Sequence, residues 1–411
     1  MLPDVSSYPL RNPAFLRLLA FRVSITFSYQ IMAVVVGWHI YQITRDPLSL
    51  GLIGLAEVIP YFCMALFAGY AVDHYSRRMF GVLASIVLVI NALVLAAIAA
   101  GWLWHESESS LYIYISIACV GFARAFIGPS YSALFALVLP RQQFARAASI
   151  GSSVLQTGLV LGPAIGGGMI AWAGISAAYC SSAVFALVAV AAMLSLKVRQ
   201  PPATDSTPVF ASISQGLRFV FNNQVMLGAQ ALDMFAVLFG GAVAMLPMFI
   251  HDVFNHGPEG LGILRAAPAV GAIATGIWLT HHPVNRHAGR ILLMAVAGFG
   301  LSIIAFALSG SFWLAAFLLL ISGICDGVSV IVRTTIMQLV TPDEMRGRVS
   351  AINGIFIGSS NELGAFESGM AARLLGLVPS VIFGGAMTIA VVGAVAKFAP
   401  RLRRLNMRDL H

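Results

Sequence analysis

Uninterrupted apolar runs constrain this chain more than any other feature. Runs of about 20 residues, the length of a helix that crosses a bilayer, recur along its whole length. Of 411 residues, 59% are hydrophobic and 10% are charged, whereas soluble domains carry about 25% charged residues. The runs are continuous rather than alternating, which favours helices over the strands of a membrane barrel. The sequence therefore predicts an all-α integral membrane protein.

Twelve membrane-crossing helices are predicted from these runs. They cover residues 15–43, 48–72, 79–103, 111–138, 147–171, 175–196, 224–250, 260–280, 290–309, 312–340, 349–372 and 379–399. A polar, proline-containing stretch at 197–208 indicates a linker, and 210–221 is typical of an amphipathic helix on the membrane surface. We therefore expect three parts: an N-terminal six-helix bundle (1–196), a cytoplasmic linker with an amphipathic helix (197–222) and a C-terminal six-helix bundle (223–411).

The distribution of Lys and Arg predicts the topology. With the N-terminus inside, 18 of the 24 Lys and Arg residues fall in inside segments, 2 in outside segments and 4 within spans. This bias places both termini in the cytoplasm of a multi-pass protein of the cell inner membrane. The formal charge of +8 is thus explained without a nucleic-acid partner. No cleavable signal peptide is expected, and we expect a monomer in the lipid bilayer.

The two halves of the chain repeat each other with an offset of 202 residues. Gly121 and Pro140 are 19 residues apart, and so are Gly323 and Pro342. Glycine-rich segments at 161–167 and 363–369 follow at the same offset. A parallel repeat of this kind predicts two pseudo-symmetric bundles of six helices.

A short polar loop separates the second and third apolar runs. Its marked residues are Gly69, Asp73, Arg77 and Arg78. An acid and a basic pair cannot lie in hydrocarbon, so the loop lies at a membrane surface. The spacing resembles the loop between helices 2 and 3 of the major facilitator superfamily, with His74 and Ser76 in place of the usual Arg and Gly. The resemblance implies the twelve-helix fold of that family and a gating role for the four marked residues; the alternative is a plain basic turn.

Five ionisable residues lie within predicted helices 1, 4, 7 and 10. They are Arg22, Arg124, Asp233, Asp326 and Arg333. Each costs about 2.5–3.5 kcal/mol in a span, so each needs a partner or water. In the superfamily these four helices line the central cavity, so the resemblance implies roles in substrate binding and coupling. Aligning the two halves on Asn12 and Asn223, each ten residues upstream, makes Arg22 equivalent to Asp233. The offset of 202 makes Arg124 equivalent to Asp326, again with reversed charge.

These reversed charges are predicted to face each other across the cavity and to hold or sense its closure. The alternative interpretation is that they form static ion pairs that fix helix packing, or that they snorkel to the interface. Their three guanidiniums also suit carboxylates or catecholates, which favours an anionic or zwitterionic substrate.

Three further charges are assigned to helix interfaces. Glu57 precedes Pro60 by three residues on predicted helix 2. Arg265 precedes Pro268 by the same spacing on predicted helix 8, so the two charges are pseudo-equivalent. Glu362 lies on predicted helix 11, and Arg265 is its candidate partner. Glu367 has equal claims to a structural and a functional role, and the weaker site candidates are His39, Gln30, Tyr29 and Tyr131.

Two segments resemble motifs of proton-driven drug antiporters. Residues 124–128 resemble the helix-4 motif R-x-x-Q-G, with Ile127 in place of Gln. Residues 158–168 resemble the helix-5 motif G-x-x-x-G-P-x-x-G-G, which implies a gating role for Gly162 and Pro163. Arginine does not release a proton, so Asp326 is predicted as the main proton site and Asp233 as the second. Together with residues 341–350 and 359–369, the chain resembles the enterobactin-exporter-like branch of the superfamily.

The resulting prediction is a secondary active transporter that exports a small amphipathic molecule, a siderophore or a drug, in exchange for protons. The alternatives are a same-fold importer and a non-transporting receptor or scaffold. The sequence has no P-loop, nucleophile elbow or metal-ligand spacing, so we expect neither an enzyme nor a cofactor or metal site. The four cysteines all lie in apolar runs, where they are expected to be buried apolar residues.

Overall fold

The computed structural model describes residues 9–103, 106–198, 209–282, 284, 287–342 and 345–406. Within these ranges the protein is almost entirely helical and contains no β-strand. The first helices are α1 (Pro13–Thr44), α2 (Pro47–His74), α3 (Arg77–Ala99), α4 (Glu106–Val138), α5 (Phe144–Ser195) and α6 (Val209–Asn222). The next are α7 (Gln224–Phe239), α8 (Leu246–Met248), α9 (Pro258–His281) and α10 (Ala288–Leu308). The last are α11 (Phe312–Val340), α12 (Arg346–Leu375), α13 (Leu377–Phe398) and α14 (Pro400–Arg403).

Ten helical segments in the described ranges are long and apolar enough to cross a membrane. One of them, within α5, is 50 residues long and breaks at Gly174, whose φ of +85° suits glycine but strains other residues. It supplies two crossings, as predicted. Helix α12 has 30 residues, about 45 Å at 1.5 Å per residue, but is more polar than the others. The prediction of an all-α membrane fold with twelve crossing helices is confirmed.

The seventh crossing differs from the single helix predicted over 224–250. Helix α7 ends at Phe239, and a 3₁₀ turn over Gly241–Met245, the short α8 and a π-helical turn over Phe249–Val253 follow. The Gly240–Gly241 pair weakens the helix there, and Pro247 is tolerated because it lies in the first turn of α8. Broken helices in membrane transporters are tolerated where protein or water covers the exposed backbone.

The cysteines also differ from expectation. Cys63, Cys119 and Cys180 are exposed on the protein surface, and Cys325 is half-buried. All four lie in membrane-crossing helices, and their thiols are free.

The chain forms two compact units. The first comprises Met1–Thr44 and Ala56–Asp205. In it, α1 packs chiefly along α5, and α3 packs against α4 and α5. One of its apolar clusters contains the buried residues Phe15, Leu139 and Ala147.

The second unit comprises Arg45–Leu55 and Ser206–His411. Here α11 packs against α9 and α10, and α10 packs against α13. One of its apolar clusters includes Leu232, Leu292 and Ile336, all fully buried. Helix α6 forms where the amphipathic helix was predicted, and Val220 packs against α7 and α12. Its position at a membrane surface stays a prediction.

Candidate functional site

An ion pair between Arg124 on α4 and Glu57 on α2 forms the polar centre of the first unit. The Tyr29 hydroxyl, on α1, donates to Glu57 Oε1 at 3.0 Å and accepts from Arg124 Nη1 at 2.7 Å. The Arg124 guanidinium also lies over the Tyr29 ring, 4.4 Å from its centroid, and 5.4 Å from the centroid of Tyr61. The Glu57 side chain is 7% exposed and that of Arg124 is 24% exposed. The charge of Glu57 is therefore matched by a guanidinium and one hydroxyl hydrogen bond, as a buried carboxylate requires.

Gly121 allows α4 to approach α2 at this pair. A Cβ atom at position 121 would meet the backbone carbonyl of Glu57. Because Gly121 lies one turn before Arg124, the close helix contact brings Arg124 towards Glu57. Glu57, predicted as a helix-interface charge, thus lies in the same cluster as the predicted coupling residue Arg124.

Arg22 lies apart from this ion pair. Its guanidinium lies 4.2 Å from the centroid of the Tyr131 ring on α4. Its Nε atom is buried and has no acceptor among the described residues. The Tyr131 hydroxyl in turn lies against α5, where a Cβ atom at Gly151 would be 2.9 Å from it. Tyr131, a weaker site candidate in the sequence, is thus the aromatic partner of Arg22; its role in a site stays a prediction.

The second unit contains a buried network centred on Arg333 of α11. Arg333 Nη1 lies 2.8 Å from Asp233 Oδ2 on α7, and these side chains are 4% and 7% exposed. The same nitrogen donates to Gln230 Oε1 at 3.4 Å and to Asn353 Oδ1 at 3.2 Å. Gln230 Nε2 donates to Asn353 Oδ1 at 2.8 Å. Three helices, α7, α11 and α12, are thereby joined through one guanidinium.

Asp326 lies near this network but outside its ion pair. It occupies the middle of α11, and the charges of both Asp233 and Arg333 act on it. No hydrogen bond or ion pair joins its carboxylate to another described side chain. The cluster thus holds two carboxylates and one guanidinium, which leaves one negative charge when all three groups are ionised.

The glycines of the helix-5 motif form the contact between α5 and α1. A Cβ atom at Gly158 would lie 2.5 Å from Thr26 Cγ2, and one at Gly162 would lie 2.5 Å from Gln30 Cβ. Real Cβ atoms do not approach other atoms so closely, so only glycine permits this helix spacing. The motif residue Pro163 is buried beside Gly162. This packing accounts for the motif physically; its gating role stays a prediction.

We expect Gly162→Ala to destabilise the protein by about 1–3 kcal/mol, because the added methyl group overpacks the α1–α5 contact. The matched control is Gly168→Ala on the same helix, where an added Cβ meets no atom within 4 Å. That change is expected to be neutral or stabilising by up to about 1 kcal/mol, because alanine favours the helix. Thermal unfolding of the detergent-purified variants measures both. Equal stability of the two variants would contradict the packing role of Gly162.

The predicted gate loop is described only in part. The Asp73 side chain lies outside the described residues, and a Cβ atom at Gly69 would meet nothing within 4 Å. Ser76 caps α3 by accepting from the Met79 amide, which gives the replacement of the usual glycine a local role. Arg78 Nη1 donates to the Leu196 carbonyl at the end of α5, at 3.0 Å. Arg77 begins α3. The gating role of this loop stays a prediction.

The remaining candidates separate into structural and untested ones. His39 is buried and its Nδ1 lies 3.2 Å from the Tyr179 hydroxyl, so it has a hydrogen-bond partner; its structural role stays a prediction. Arg265 and Glu362 are both half-buried and both have interaction partners; their pairing with each other stays a prediction. No group of three or more metal-ligating side chains occurs within the described part of the chain.

Ion pairs within membrane-crossing helices are typical of multi-pass membrane transporters. The chain belongs to the Major Facilitator Superfamily, whose sequence profile matches residues 18–365. The multidrug efflux pump Tap of Mycolicibacterium fortuitum is 25% identical over 392 residues, 92% of this chain and 93% of the relative. The enterobactin exporter EntS of Escherichia coli O81 is 26% identical over 352 residues, 83% of this chain and 81% of the relative. The predicted superfamily is confirmed, and the chain is similar to an enterobactin exporter and to a drug efflux pump, as the predicted branch implies.

Solved structures agree on the fold. A POT family transporter in complex with 5-aminolevulinic acid superposes with a TM-score of 0.75 at 12% identity, covering 94% of this chain and 96% of that one. An inward-facing, unoccupied bacterial homologue of the human lysosomal transporter Spinster gives 0.71 at 16% identity, covering 95% of each chain. At these identities the likeness establishes the architecture alone.

Proposed function

We propose that this protein exports a small amphipathic molecule, a siderophore or a drug, across the cytoplasmic membrane in exchange for protons. The observation that carries the proposal is the Asp326 carboxylate, which lies halfway along a membrane-crossing helix and outside the Asp233–Arg333 ion pair. Carboxylates at such positions mark ion pathways and proton relays in transporters.

The charge balance of the second unit supports proton coupling. Two carboxylates against one guanidinium leave a single negative charge, and one bound proton neutralises it. A charge left unbalanced in a span is costly, so proton binding and the arrangement of the three groups are energetically linked. Arg333 donates hydrogen bonds to Gln230 and Asn353. Movement of its guanidinium is therefore linked to rearrangement of α7, α11 and α12.

The export direction is supported by the relatives, one named as a multidrug efflux pump and the other as an enterobactin exporter. The single negative charge in the second unit and the helix-5 glycine contacts are compatible with either direction. The relatives therefore support the direction of transport, and the charge balance of the second unit supports the proton as the coupling ion.

Everted membrane vesicles test both parts. After acidification of the lumen, addition of a transported compound should release protons and restore the fluorescence of a pH-sensitive acridine dye. A panel of enterobactin and amphipathic drugs is added to vesicles with and without the protein. We expect at least one compound to give a response that requires the protein. Accumulation of that compound without a proton gradient, or proton uptake in place of release, would contradict a proton-driven exporter.

A further inference from the structure

The three arginines on predicted helices 1, 4 and 10 differ in how their charges are neutralised. Arg124 is paired with Glu57, and Arg333 is paired with Asp233. Arg22 has no carboxylate partner among the side chains that the structure describes. Glu57 is the only acid of the first unit whose side chain the structure describes, and it is already held by Arg124 and Tyr29. One guanidinium of this unit is thus left without a counter-charge among the described side chains.

Arg22 lies well inside the membrane-crossing helix. It follows the start of α1 at Pro13 by nine residues, about 14 Å along the axis. Its neighbour Tyr131 is 8% exposed, and its own side chain is half-buried. Its Nε–H is buried with no acceptor in the described structure, which costs about 1–3 kcal/mol relative to a satisfied group.

The surroundings of Arg22 stabilise a cation without cancelling its charge. The Tyr131 ring lies 4.2 Å from the guanidinium carbon and covers one face of the group. A cation–π contact of this kind contributes about 0.5–2 kcal/mol but brings no negative charge. The Tyr131 hydroxyl also forms a hydrogen bond with the Arg22 side chain. The other N–H groups of the planar guanidinium match the two oxygens of a carboxylate.

We propose that Arg22 and Tyr131 form an anion-binding site that takes the carboxylate of the transported substrate. The inference rests on the proposed function and names the substrate class of that transporter, a small organic anion. Of the three guanidiniums suggested by the sequence, it selects Arg22, which has no carboxylate beside it among the described side chains.

Benzoate is a suitable probe because benzamide has the same shape and no charge. Binding of each to the detergent-purified protein is measured by calorimetry, without any proton gradient. We expect benzoate to bind the wild type and benzamide to bind at least about tenfold more weakly, since a charged hydrogen bond contributes about 1.5–3 kcal/mol. Arg22→Gln should weaken benzoate binding by a similar factor, and Arg22→Lys should weaken it less.

Tyr131→Leu should weaken benzoate binding by about threefold, because it removes the ring under the guanidinium. The matched control is Arg373→Gln, which removes an exposed guanidinium and should leave benzoate binding unchanged. Benzoate binding is also measured in nanodiscs with and without phosphatidylglycerol, to determine whether a lipid headgroup or a free anion occupies the site. We expect benzoate affinity to be the same with and without this lipid.

The proposal is overturned if Arg22→Gln binds benzoate as the wild type does, if benzamide binds equally, or if phosphatidylglycerol displaces benzoate. These results are independent of proton release in everted vesicles. Failure of vesicle transport with intact benzoate binding would remove the proposed function and not the anion site. Proton-driven export of organic cations by Arg22→Gln at the wild-type rate would remove the anion site as the substrate site and leave the exporter.

Discussion

Arg333→Met is expected to lower the free energy of unfolding by about 3–5 kcal/mol, because it leaves the Asp233 carboxylate buried without a cation. The two side chains are 4% and 7% exposed, and 2.8 Å separates Arg333 Nη1 from Asp233 Oδ2. Gln230 and Asn353 would also lose the donor that they share. Denaturant unfolding of the purified protein in detergent measures the change.

Two further variants identify the cause of that loss. Arg333→Met combined with Asp233→Leu removes both charges and should recover most of the lost stability. Arg373→Met removes the guanidinium of a more exposed pair, with side chains 56% and 33% exposed and 3.8 Å from Asp46. It should cost at most about 1 kcal/mol. Equal losses in Arg333→Met and Arg373→Met would show that burial does not control the effect.

Most of the fold follows from the apolar runs. The crossings were located by apolar runs of about 20 residues and by the break predicted between residues 171 and 175. In the structure, Gly174 ends the first half of α5 by its positive φ. The interruption after α7 could not be predicted in the same way. The run over 224–250 is continuously apolar, and the outcome depends on neighbours: a Cβ at Gly240 would lie 2.5 Å from Phe299 and one at Gly241 would lie 2.5 Å from Ser368.

The charged residues of the site were predictable because ionisable groups in spans are rare and costly. The contacts that these residues make with one another could not be predicted from the sequence. The internal repeat identifies equivalent positions in the two halves, but it does not say which faces of neighbouring helices meet. The Arg124–Glu57 pair depends on the approach of α4 to α2 at Gly121. The neutral partners Gln230 and Asn353 carry no signal that separates them from other polar residues in helices.

Asp326→Asn is expected to abolish transport against a concentration gradient while preserving downhill exchange of substrate. The substitution keeps the size of the side chain and removes its capacity to carry a proton. With Asn at this position, the second-unit cluster holds one carboxylate and one guanidinium, as it does in the wild type with Asp326 protonated. The variant therefore mimics one proton-bound state permanently, and its fold should remain intact.

Uphill export and downhill exchange can be lost independently because they require different steps. Uphill export needs a group whose proton affinity differs between two conformations, and a coupling free energy of about 1–3 kcal/mol suffices to bias them. A nearby guanidinium that approaches or withdraws changes the free energy of protonating a carboxylate, and Arg333 is positioned to act on Asp326 in this way. Downhill exchange needs only the conformational change and substrate binding, neither of which requires a proton to leave residue 326.

Proteoliposomes containing the purified variant measure both modes with the compound that responds in everted vesicles. A pH gradient drives the uphill assay, and an excess of unlabelled compound on the opposite side drives the exchange assay. Asp46→Asn removes a carboxylate near the end of a helix, paired with Arg373, and should behave as the wild type in both. If Asp326→Asn still concentrates the compound with unchanged pH dependence, Asp326 is a structural residue and the proton is carried elsewhere. If a correctly folded Asp326→Asn variant loses both uphill transport and downhill exchange, Asp326 is needed for more than proton coupling.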